Sequence, residues 1–161
     1  MFQKLQSLKE KVQRSFQQGD FKSAAASGEE AILLAKKLPP SVGLGEIIQL
    51  HMNSASSYME LKNFSESESH CNNAVRYAEM AVGQNPQHPP AIELLSMAVG
   101  TKCLLMLHTE RLDAAADAAT QSHTLADSIY DKKDPRLCKS LKICALVQVR
   151  FFCLFRQIAE F

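Results

Sequence analysis

The stretch LHMNSASSYMELKNFSESESHCNNAV, residues 50–75, holds two helical patterns and the break between them. Met52, Ala55 and Met59 recur at the spacing that lines up side chains on one face of an α-helix. The pattern stops at Lys62, and Asn63 is a good N-cap for a second helix opening on Phe64. Ser67 and Ala74 stand three and ten residues beyond Phe64, on one side of that helix. Two helices joined by so short a turn fold back on each other, and small side chains at the crossing let their backbones approach.

The arrangement occurs twice more. Gly19-Asp20-Phe21 and Glu110-Arg111-Leu112 align with Lys62-Asn63-Phe64, so a bulky residue follows each turn. Three positions after it come Ala24, Ser67 and Ala115, and ten positions after it Ala31, Ala74 and Ser122. Nine positions before it stand Val12, Ala55 and Cys103. These repeats predict three hairpins, at about residues 2–38, 42–83 and 90–130, and a terminal helix over about 135–160. GQNPQHPP, residues 83–90, is the plainest loop, and Pro135 is expected in the first turn of the last helix. With no alternating strand pattern, the expected fold is all-α, one domain of about seven helices.

Composition narrows the function. A chain of 161 residues suits a single domain with its own core. Its 18 basic and 17 acidic residues nearly cancel and are interspersed, which offers no footprint for nucleic acid or an anionic membrane. The five cysteines include no CxxC pair and fall in apolar helical patterns, so they read as reduced core thiols. The first residues, MFQKLQSLKEKVQRSF, lack the apolar run of a secretory signal, and the expected location is the cytoplasm. His70 and Cys71 are adjacent, so on a helix they diverge by about 100° and cannot act as a nucleophile–base pair. No histidine spacing suits a metal, and VGTK at 99–102 lacks the rest of a phosphate loop. The expectation is a protein without catalysis, metal or cofactor.

The repeated junctions resemble the tetratricopeptide repeat. That resemblance implies helix–turn–helix units stacked into a right-handed superhelix, with an aromatic near the end of the first helix and an aromatic and alanine in the second holding each hairpin. Tyr58, Phe64, Ser67 and Ala74 fill the pattern best. Phe16, Gly19, Phe21, Ala24 and Ala31 fill it nearly as well, while Met106 and Leu112 replace the aromatics of the third unit. Phe21 to Phe64 is 43 residues and Phe64 to Leu112 is 48, longer than the usual spacing of about 34. Lengthened helices between the junctions are therefore expected.

The family implies an interaction scaffold that holds a peptide or partner helix in a concave groove. LHMNSASSY further resembles a helix of co-chaperones that grip the acidic C-terminal tails of heat-shock chaperones. Carried over, Asn53 takes the place of an asparagine that binds the terminal carboxylate, Lys9 that of a lysine, and Gln13 that of a second asparagine. Met97 and Thr101 stand where two basic residues belong, and Lys102 is one residue out of register. The expected groove residues are thus Lys9, Gln13, Asn53, Thr101 and Lys102, with tail recognition by a partial clamp as the alternative.

A second surface is expected at ICALVQVRFFCLFRQIAEF, residues 143–161, apolar on nearly all sides but interrupted by Arg150, Arg156 and Glu160. These charges make it too short for a membrane span. Phe151, Phe152, Phe155 and Ile158 are the candidates for self-association, which makes a homodimer or a self-assembling subunit a further expectation.

Overall fold

In the computed structural model, residues 2–159 are described, with side chains for 2–39 and 43–153. Among the described residues there are seven helices and no strand. They are α1 (Phe2–Gln17), α2 (Phe21–Ala35), α3 (Pro40–Glu60), α4 (Phe64–Gln84), α5 (Pro89–His108), α6 (Leu112–Asp127) and α7 (Leu137–Ala159). α1 with α2, α3 with α4, and α5 with α6 form antiparallel hairpins, and each hairpin also packs on the next. The extra residues between the junctions go into helix length: α3 and α4 have 21 residues each and α5 has 20, against 16 and 15 in α1 and α2.

The three hairpin turns are built alike. Gly19, Lys62 and Glu110 adopt left-handed φ values of 77°, 57° and 58°. The next residue's N–H then reaches back five positions: Asp20 to Ser15 O, Asn63 to Tyr58 O and Arg111 to Met106 O, each at 2.9 Å. This closure satisfies carbonyls that a helix end leaves open. The Asp20 carboxylate accepts from Ser23 N–H at 3.1 Å, and the Asn63 side chain accepts from Glu66 N–H at 3.4 Å. Arg111 makes no side-chain cap.

Prolines set the other starts. Pro40 and Pro89 stand in the first turns of α3 and α5, so these helices begin two residues earlier than the apolar pattern alone suggests. Pro135 does not open α7, contrary to expectation. The Asp134 carboxylate accepts from Arg136 N–H at 2.8 Å and forms ion-paired bonds to its guanidinium, holding a turn that delays the helix until Leu137.

All nine small positions of the repeat are buried. In the second hairpin Ser67 Oγ on α4 donates to Ala55 O on α3 at 2.9 Å. In the third hairpin Cys103 Sγ on α5 donates to Ala115 O on α6 at 3.1 Å, at the same pair of positions with donor and acceptor helices exchanged. Ser96 and Ser122 add a reciprocal exchange, each hydroxyl donating to the other's carbonyl at 2.8 Å. The turn aromatics behave differently. Phe16 and Phe21 meet edge to face at 5.2 Å between ring centroids. Tyr58 instead stacks on His70, and Phe64 stacks on His108 of α5, so the second turn's aromatics face different neighbours.

Between the first two hairpins α2 comes close to α3 at Gly28, where a Cβ would lie 2.5 Å from Ser54 Oγ. α5 is packed by α3, α4, α6 and α7, which suits its apolar circumference and centres the largest core cluster on it.

The left-handed turns generate a stability test. Lys62→Gly and Glu110→Gly should each stabilise by about 0.5–1 kcal/mol, and Gly19→Ala should destabilise by about 1 kcal/mol, because only glycine escapes the Cβ clash there. Urea titrations of the three variants check this.

Candidate functional site

Along the side where the odd-numbered helices lie, two hollows share Asn53 and Ser56 of α3. One, of about 430 Å³, reaches across to α1 at Gln13 and Gln17. The other, of about 300 Å³, reaches α5 at Met97 and Thr101 and α7 at Lys139 and Ile143. Asn53 thus stands exposed on the ridge between them, four residues from Gln49 and so on the same face. Ser57 Oγ donates to Asn53 O at 3.0 Å, but the Asn53 side-chain amide makes no hydrogen bond among the described residues.

The expected groove residues divide here. Lys9, Gln13 and Asn53 come together around the first hollow. Thr101 lines the second, its hydroxyl donating to Met97 O at 3.0 Å. Lys102 lines neither hollow and lies close enough to Cys71 on α4 to act on its thiol, as its rotation out of register implies. Lys9 Nζ sits 2.6 Å from Glu46 Oε2, both side chains roughly one-third exposed or less. A ligand carboxylate would have to compete with Glu46 for this ammonium. At the other end, the Arg136 guanidinium lies 4.1 Å over the Tyr130 ring and is paired with Asp134. Burial, then the neighbouring Glu93 carboxylate, pushes the Tyr130 phenol up to about 12. The walls therefore offer amides, hydroxyls and apolar surface, with Lys139 as a cation that has no ion-pair partner among the described residues.

Of the expected self-association residues, Phe151 turns inward onto the α5–α6 core while Phe152 is 70% exposed. The side chains of Phe155 and Ile158 lie outside the described residues.

A second polar cluster was not visible in the sequence. His51 of α3 and His70 of α4 meet with their Nδ1 atoms 2.8 Å apart, and His70 Nε2 lies 2.7 Å from Glu29 Oε1 of α2. Tyr58 stacks on His70 and Tyr77 on His51, at centroid separations of 5.4 and 5.8 Å. An ionised Glu29 only accepts, so His70 Nε2 carries hydrogen. In the neutral ring its Nδ1 accepts from His51 Nδ1–H, which leaves His51 Nε2 bare, buried and without a partner. Burial, followed by the charge of His70, pushes the His51 pKa down to about 4. Neither histidine lines the hollows described above, and the chain reads as a link between helices. Histidines 19 residues apart on separate helices give no spacing signal, so only the hairpin geometry reveals them.

The free thiols follow burial. Cys71 and Cys103 are buried and pushed up to about 11 mainly by desolvation, whereas Cys138 and Cys153 are exposed. Among the described residues no group of three potential ligands could hold a metal ion.

No protein-family model matches the chain, and no curated protein matches it.

The His51 environment fixes a pH dependence. A group whose pKa falls from 6.5 to about 4 on folding binds its proton more readily when unfolded, so it costs nothing above pH 6.5 and opposes folding increasingly as pH falls towards 4. The loss from this group amounts to about 3 kcal/mol. Urea titrations between pH 7 and 4 should therefore show a smaller acid-induced loss, by about that amount, in His51→Gln than in the wild type; equal losses would place the titration elsewhere.

Proposed function

We propose that this chain is a non-catalytic protein-interaction scaffold of tetratricopeptide type, with its hairpins stacked in a right-handed superhelix and a peptide segment of a partner held along the concave side. The observation that carries this reading is the pair of hollows joined at Asn53 and Ser56, walled by α1, α3, α5, α6 and α7. A groove that crosses successive helices suits an extended chain, whose backbone N–H and C=O groups can pair with amide and hydroxyl side chains. Gln13, Gln49 and Asn53 present such groups without a charge to desolvate. The Lys9–Glu46 pair favours a ligand that does not depend on a terminal carboxylate over the acidic-tail alternative.

Peptides selected from a random linear library displayed on phage test this reading. Bound to the labelled protein, they should shift amide resonances on the inner faces of α1, α3 and α5. Asn53→Arg should weaken them at least tenfold without moving the melting temperature, and amidating their C-termini should change affinity by less than threefold. Shifts confined to α2 and α4, or full affinity in the Asn53→Arg variant, would rule the groove out. A loss of tenfold or more on amidation would restore the carboxylate clamp.

A further inference from the structure

Among the described residues, α7 stands apart from the other odd-numbered helices. α1 is covered by α2, α3 by α4 and α5 by α6, and α7 packs only on α5 and α6. Its inner face carries Leu137, Ser140 and Val147, all buried, with Ile143, Cys144 and Phe151 packed against the core. It also has a second apolar strip. Leu141, Ala145, Val149 and Phe152 fall within an arc of about 80° at 100° per residue. All four are exposed, and Val149 and Phe152 are 59% and 70% accessible. Beside the strip, Leu146 and Val149 join Leu104 and Leu107 of α5 in a hollow of about 410 Å³.

The charges on this helix are of one sign. Residues 137–153 contain Lys139, Lys142 and Arg150 and no acidic residue. Lys142 lies about 20° beyond Val149, and Lys139 and Arg150 follow together about 80–100° beyond it, so the flank of the strip nearer α5 is basic. The opposite edge carries the neutral Gln148.

We propose that the outer face of α7 seats an amphipathic helix of a partner protein, apolar towards Val149 and Phe152 and acidic along the edge that meets Lys142 and the basic flank behind it. A strip spaced at i, i+4, i+8 and i+11 beside a hollow is a ridge-and-groove surface for another helix. The cations select the partner's charge and its orientation along α7. A second copy of the chain fits less well, because residues 137–153 of α7 offer no acidic side chain to meet the other copy's basic flank. A lipid surface also fits less well, because Lys142 interrupts the exposed face and basic residues border only one of its edges.

Two synthetic helical peptides test the proposal. Both carry leucines in a heptad seam, and their flanking positions are all glutamate in one and all lysine in the other. The intact protein should bind the glutamate peptide at least tenfold more tightly by fluorescence anisotropy. The double variant Val149→Asp, Phe152→Asp alters only exposed side chains. It should lose at least tenfold of that affinity while its melting temperature stays unchanged. Lys142→Glu with Arg150→Glu should invert the preference between the peptides. Asn53→Arg should bind the glutamate peptide as the wild type does, which separates this surface from the groove. Equal affinity for the two peptides, or binding that survives the double variant, overturns the proposal. So does co-sedimentation with vesicles of phosphatidylcholine and phosphatidylserine without peptide binding, or a dimer in light scattering that Phe152→Asp abolishes.

Discussion

Two antiparallel helices can approach only as closely as the side chains between them allow, and here that limit is set at a few positions in each hairpin. Val12 faces the region of Ala24 and Ala31, Ala55 that of Ser67 and Ala74, and Cys103 that of Ala115 and Ser122; all are buried. Where the side chain at the crossing is polar, it donates to a carbonyl of the facing helix, as Ser67 does to Ala55 and Cys103 to Ala115. Such bonds satisfy a buried hydroxyl or thiol without adding bulk. The large core side chains lie outside these crossings, as Ile48 and Leu95 do in the central cluster. A bulky residue at a crossing would splay its hairpin and, because each hairpin packs on the next, would displace the walls of both hollows.

What was legible in the sequence is what a hairpin decides locally. Small-residue spacing, capping side chains and proline placement act within about a dozen residues, and they yielded the helices, the turns and the buried crossings. The exceptions are also local: Asp134 gripping Arg136 moved the start of α7 past Pro135. What stayed hidden is made where one hairpin lies on another. Gly28 meets Ser54, Lys9 finds Glu46, and Glu29 reaches His70, across separations that no sequence periodicity encodes. Lys9 and Gln13, four residues apart, share a face by helix register, and the resemblance implied Asn53 beside them, but whether Lys9 is available depends on the distance between α1 and α3.

α5 and α7 show how the same apolar richness has two outcomes. α5 meets four other helices, and its leucines, Val99 and Cys103 are largely enclosed. α7 meets two, so one half of its circumference is covered and the other carries Val149 and Phe152 into solvent. The difference lies in the number of neighbours, which the hydropathy of each segment does not report.

The Glu29–His70–His51 chain also bears on how the molecule comes apart. It runs from the first hairpin into the second, next to the Gly28–Ser54 approach, while the second and third hairpins and α7 share one core centred on α5. Charging His51 acts first at the seam between the first two hairpins, where His70 joins it to Glu29. In acid, α1 and α2 would therefore lose amide-exchange protection first, with the remaining helices holding as one cooperative unit, so the molecule has a weak end and a strong end set by which seam carries titratable groups.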